Sequence, residues 1–110
     1  MKVEVKIVPN DKGNPAGKLC DAELHFGDDP LFGGLKLVGF SAWEGQHGKR
    51  TVTFPARAYS VNGERRTFAL LRPNTFDGGM PTDALRDYIL AAYAAHEARD
   101  VPGIVAQIEA

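Results

Sequence analysis

Residues 50–73 read RTVTFPARAYSVNGERRTFALLRP, and this stretch decides the fold. Asn62-Gly63 is a two-residue hairpin signal, because a type I′ turn takes positive φ at both central positions. Residues 50–59 before it, rich in β-branched and aromatic side chains, and residues 65–72 after it read as two antiparallel strands. The simplest pairing about the turn sets Val61 against Glu64, Ser60 against Arg65 and Tyr59 against Arg66, with Arg57 near Phe68. In the first strand, Val52, Phe54, Ala56 and Ala58 share a face opposite Thr51, Thr53, Arg57 and Tyr59. Pro55 has no amide hydrogen for a ladder, so the strand lies at an edge or bulges there. Pro73 closes the second strand.

The pattern extends upstream. Residues 35–44 form a strand carrying Phe40 and Trp43, and a turn with Gly45 and Gly48 joins it to residue 50. Phe40 to Pro73 therefore reads as the antiparallel hairpin on which the fold is built. Residues 2–8, KVEVKIV, alternate strictly, with Val3, Val5 and Ile7 on one face and Lys2, Glu4 and Lys6 on the other. Residues 18–26 form another strand, with Cys20, Ala22, Leu24 and Phe26 on one face. Turn-rich loops cover 9–15 and 27–34. Leu31 and Phe32 in the second loop are expected to fold back on the core.

Downstream, Thr82 is the expected N-cap and Asp83 suits a first turn. From Asp83 to about Arg99 the chain is Ala-rich, with Leu85, Tyr88, Ile89, Ala92 and Ala95 or His96 forming an apolar stripe. Pro102-Gly103 breaks the pattern, and 104–109 reads as a short helical turn or a frayed end. Strands are not interleaved with helices, so a parallel βαβ sheet is disfavoured. The expected fold is α+β: an antiparallel sheet of about five strands with one long C-terminal helix packed on one face.

The 110 residues suit one domain. Its parts are N-terminal strands and loops (1–34), a basic β-hairpin region (35–73), the amphipathic helix (82–99) and a tail (100–110). No window approaches a membrane span, and the N-terminus lacks the pattern of a signal peptide. The single cysteine, Cys20, excludes an internal disulfide and fits a reducing compartment, the cytoplasm.

The net charge of −1 conceals an uneven distribution. Residues 1–44 balance at −2, residues 45–75 at +5 and residues 76–110 at −4. The middle segment carries Lys49, Arg50, Arg57, Arg65, Arg66 and Arg72 against Glu64 alone. Such an island marks an anion-binding face, or else basic strands neutralised by the acidic helix.

Catalytic chemistry finds little support. Cys20, His25, His47 and His96 lack metal-ligand spacing, and Cys20 and His25 fall on opposite faces of one strand. Cys20 reads as a small buried hydrophobe rather than an activated thiolate. Ser41 and Ser60 sit in no nucleophile elbow. Asp28-Asp29 reads as a solvated loop, and the glycines never assemble a phosphate-binding motif. No enzyme activity, cofactor, metal or small-molecule substrate is expected. The informative constellation is the hairpin. Guanidinium groups interleaved with rings on a sheet are suited to phosphates and unpaired bases. The alternative is that the arginines solvate an edge and cover a small core, leaving the chain as a protein–protein interaction module.

Taken in order, five pieces are Gly39-Phe40-Ser41-Ala42-Trp43-Glu44-Gly45, Val52-Thr53-Phe54-Pro55-Ala56-Arg57, Asn62-Gly63-Glu64-Arg65-Arg66, Ala69-Leu70-Leu71-Arg72-Pro73 and Leu85 to Tyr93. Their order and spacing over about 38–96 resemble the stage V sporulation protein G family of septation regulators. The N-terminal third is not covered. The resemblance implies a small bacterial DNA- or RNA-binding regulator that dimerises by pairing strands across subunits, with Arg57, Arg65 and Arg66 at basic positions of the family's hairpin. A homodimer through edge strands also has a physical motive, since two sheet edges would otherwise stay open.

Overall fold

The computed structural model describes residues 2–74, 81–99 and 105–109. The elements are β1 (Lys2–Pro9), β2 (Lys18–Phe26), β3 (Lys36–Glu44), a 3-10 turn (Gln46–Gly48), β4 (Arg50–Thr53), β5 (Ala56–Val61), β6 (Glu64–Ala69), α1 (Pro81–Arg99) and β7 (Val105–Glu109). Two antiparallel sheets result. The larger runs β4-β3-β2-β1-β7, and β5 pairs with β6 alone.

The alternation in β1 and β2 sets the core. Val3, Val5 and Ile7 are buried, as are Cys20, Ala22 and Leu24 opposite them. Phe40 and Ala42 of β3 continue the layer, and Ile89 and Ala92 of α1 close it from one side. α1 lies over β4 and β1. Full burial of Phe40, Ile7 or Ile89 stabilises by about 1.5–3 kcal/mol each. The expected helical stripe is thus the packed one: Ile89, Ala92 and His96 are buried, and Leu85 and Tyr88 are half-buried.

The α+β class and the long helix match the sequence reading, but four details differ. First, Phe40 to Pro73 is not one hairpin. The expected strand 50–59 breaks at Phe54-Pro55 into β4, in the main sheet, and β5, in the separate ribbon. Ala56 and Ala58 therefore do not share a sheet face with Val52. Pro55 is buried, and the reason for the break lies opposite it. β3 bulges against β2: Ala22 faces Phe40 and Leu24 faces Leu37, so Val38 and Gly39 stand against Glu23 alone. Gly39 has φ +111°, and a Cβ there would lie 3.2 Å from the Cβ of Pro55. The ring of Pro55 thus occupies the space that a side chain on Gly39 would need.

Second, 105–109 forms a strand rather than a helical turn, because β1 has an edge for it: Val5 faces Ala106 and Val3 faces Ile108. Third, α1 begins at Pro81, so Thr82 lies inside the first turn instead of capping it; proline suits that first position because the missing amide would have no partner there. Fourth, Leu31 does not fold back. It is 79% exposed, and Phe32, though its ring lies 5.5 Å from Phe26, is about half exposed. The carboxylate of Asp29 accepts hydrogen bonds from the amides of Leu31 and Phe32 and holds that loop outward.

The Gly39–Pro55 junction yields a test. Gly39→Ala combines a positive φ with a close approach and is expected to cost about 1–3 kcal/mol, read as a lowered urea midpoint with an unchanged slope. Gly13→Ala, at φ +69° but in open space, is expected to cost less.

Candidate nucleic-acid interface

The ribbon β5–β6 turns where the sequence placed it. Asn62 (φ 51°) and Gly63 (φ 79°) adopt the left-handed conformations of a type I′ turn. The register is also the expected one, with Val61 facing Glu64, Ser60 facing Arg65, Tyr59 facing Arg66 and Arg57 facing Phe68. Every residue of both strands is exposed.

Opposed residues of an antiparallel pair share a face, so the ribbon has two distinct sides. One carries Arg57, Tyr59, Val61, Glu64, Arg66 and Phe68. The other carries Ala56, Ala58, Ser60, Thr67 and Ala69, with Arg65. On the first side Tyr59 and Phe68 meet edge to face, with centroids 5.8 Å apart, and the two guanidinium groups flank them in register. Arg66 Nη2 donates to Glu64 Oε2 at 2.9 Å, with both side chains more than half exposed. Such a pair is worth about 0–1 kcal/mol and exchanges readily for another anion. Arg57 forms no ion pair among the described residues.

The basic island is therefore not one surface. Arg57 and Arg66 share one side of the ribbon, and Arg65, adjacent in sequence, lies on the other. Arg72 lies at the far end of the ribbon, lining a small cavity of about 160 Å³ with Leu71, Pro73, Pro81, Thr82 and Leu85. Lys49 is exposed beside the 3-10 turn. Neither Arg72 nor Lys49 is paired among the described residues.

Arg50 belongs to the body instead. Its Nε donates to Glu44 at 3.2 Å, its Nη2 donates to Glu97 of α1 at 3.1 Å, and its guanidinium lies 5.4 Å from the Tyr93 ring centroid. The Glu97 carboxylate, bonded to it, holds the Arg50 guanidinium above its ordinary pKa. This clamp ties α1 to β4. It is also the extent of neutralisation by the helix among the described residues, because Asp83 and Asp87 pair with Arg86.

No group of three or more His, Cys, Asp or Glu that could hold a metal occurs among the described residues. Burial pushes the Cys20 thiol up to about 11. No described helix is long and apolar enough to cross a membrane.

Sequence reasoning missed the Arg50–Glu97 clamp, which spans 47 residues. It also missed a cleft lined by Trp43, Gln46 and Lys49 together with Gly17, which the β1–β2 loop brings alongside. The separation of Arg65 from Arg66 was available, since neighbours on a strand face opposite ways. Comparisons with models of protein families, with curated proteins and with solved structures find no match to this chain.

Two outcomes are expected. Arg50→Ala should lower unfolding free energy by about 1 kcal/mol through the lost ion pairs and ring contact, whereas Arg57→Ala and Arg65→Ala should stay within about 0.5 kcal/mol in the same urea titration. Because the Cys20 thiol ionises in the unfolded chain at lower pH than in the folded one, its contribution to stability is complete below pH ~8.5. It is lost as pH rises towards the folded value of about 11. Cys20→Ala should flatten that alkaline decline.

Proposed function

We propose that this chain binds single-stranded nucleic acid, DNA or RNA, with weak sequence preference, through the Arg57–Tyr59–Arg66–Phe68 side of the ribbon. The observation that carries the reading is the juxtaposition on one exposed face of two guanidinium groups and two rings. Rings take base faces at about 1–3 kcal/mol per base, and guanidinium groups take phosphates bidentately. The likeness of residues 38–96 to the stage V sporulation protein G pattern supports the same reading and a regulatory role in a bacterial cytoplasm. Of the basic residues, Arg57 and Arg66 contact the strand directly. Lys49, Arg65 and Arg72 add attraction at longer range, and Arg50 keeps its structural pairing.

The proposal includes a homodimer. A two-stranded ribbon alone is marginal in water, and both its edges and its small-residue side are open among the described residues. A second copy pairing at one edge would cover that edge and leave the ring-bearing side free. A second reading follows from the same open edges: a partner protein adds a strand to β5 or β6, with Val61 and Leu70 as exposed apolar anchors.

The test is a titration of labelled oligonucleotide against salt. Affinity should fall steeply between about 50 and 200 mM salt. The variant Arg57→Ala with Arg66→Ala should bind at least ~10-fold more weakly, and its salt slope should be shallower by about 1.4, from ~0.7 per phosphate lost. Arg65→Ala should change affinity less. The absence of binding at the lowest salt, or full binding by the double variant, would refute the reading. A monomeric mass at high protein concentration would remove the dimer.

A further inference from the structure

The face of the main sheet turned away from α1 carries the chain's only tryptophan. Phe40 and Ala42 point into the core, so Ser41 and Trp43 point out the other way. Trp43 lines an open cleft of about 490 Å³, within the range of small-ligand sites. Gly17, Glu44, Gln46, Lys49 and Thr51 form much of its wall.

The cleft is held in shape by its own hydrogen bonds. The Trp43 Nε1–H donates to Thr53 Oγ1 at 2.9 Å, and the Thr53 hydroxyl donates to the Ser41 carbonyl at 3.4 Å, which fixes the indole. The Glu44 amide donates to the Gly17 carbonyl at 2.8 Å and ties the two rims together. Across the turn, the Gly45 amide donates to the Lys49 carbonyl at 2.7 Å. The Glu44 carboxylate is taken by Arg50. The groups left for a ligand are therefore an indole surface, the Gln46 amide and the Lys49 ammonium, and neither side chain has a hydrogen-bond partner among the described residues.

We propose that this cleft is a nucleotide subsite, in which one unpaired base stacks on Trp43, Gln46 meets the base edge, and Lys49 takes the adjoining phosphate. A planar ring with both donors and acceptors on its edge, carrying a phosphate, uses all three groups. A neutral sugar would use the indole and the amide but leave the cation without a role. This deepens the nucleic-acid reading, on which it rests: the cleft adds a base-stacking site to the ribbon's, joined to it in the chain through β4 and Pro55.

Because Trp43 is the sole indole, its emission, excited at the red edge where the three tyrosines do not absorb, reports on the subsite. Titration of the full chain with uridine monophosphate and with oligo-dT, at low salt, should quench it saturably, whereas ribose 5-phosphate and a neutral oligosaccharide should not. Lys49→Ala should keep the quench amplitude and shift its midpoint upward several-fold. Trp43→Ala should weaken labelled oligo-dT binding about ten-fold, and Trp43→Phe, which keeps a ring and guards against misfolding, should restore most of it. Oligonucleotide binding by anisotropy with unchanged Trp43 emission would overturn the subsite and leave the ribbon reading standing. Quenching by the mononucleotide with no oligonucleotide affinity would do the reverse. Silence towards every nucleotide, or a response to the oligosaccharide alone, would overturn the subsite outright.

Discussion

The close approach of buried Pro55 to Gly39 is the constraint on which the remaining architecture depends. Pro55 cannot extend the β4 ladder, and its ring crowds the place that a Cβ on Gly39 would take, at a backbone φ of +111° that favours glycine. The pairing of β4 with β3 therefore ends at Thr53 opposite Ser41, and the next strand leaves the main sheet instead of continuing along β3. The chain doubles back on itself at Asn62-Gly63, and the ribbon is anchored where the Leu70 amide donates to the Pro55 carbonyl at 2.9 Å. A continuous strand from 50 to 59 would have laid Arg57 and Tyr59 along the main sheet. The break instead presents them on an element with two solvated sides.

That separation divides the charge of the molecule by role. Arg50, on the sheet side of Pro55, is spent on Glu44, Glu97 and Tyr93, and so connects helix to sheet. Arg57 and Arg66, beyond Pro55, face solvent beside two rings. Residues close in sequence and alike in chemistry thus do different work because one proline lies between them. The acidic helix, which could have cancelled the basic segment, satisfies most of its own charge through Arg86 and reaches the basic segment through Glu97.

Local chemistry made much of this legible. Strict alternation placed Val3, Val5, Ile7, Cys20, Ala22 and Leu24 in the core, and Asn62-Gly63 fixed both the turn and the register of the ribbon. The helical stripe through Ile89 and Ala92 was equally clear, and burial decides its end for His96 over Ala95. What escaped depends on partners distant along the chain. That 105–109 is a strand depends on the free edge of β1 about a hundred residues earlier, since five residues are too short to declare their own period. The outward set of Leu31 depends on hydrogen bonds from the Asp29 carboxylate. The role of Arg50 depends on Glu97, and the cleft at Trp43 on a loop around Gly17. A sequence shows the residue but not the neighbour that gives it a role.

The central claim is that Pro55 sends out a ribbon whose ring-and-guanidinium side receives nucleic acid. The most direct measurement is a map of backbone amide shifts across the labelled protein as oligo-dT is added at low salt. The account predicts that the largest changes fall on residues 56–69, with a second group around Trp43 to Lys49, and that α1 stays still. Changes confined to α1, or spectra unmoved by saturating oligonucleotide, would contradict it.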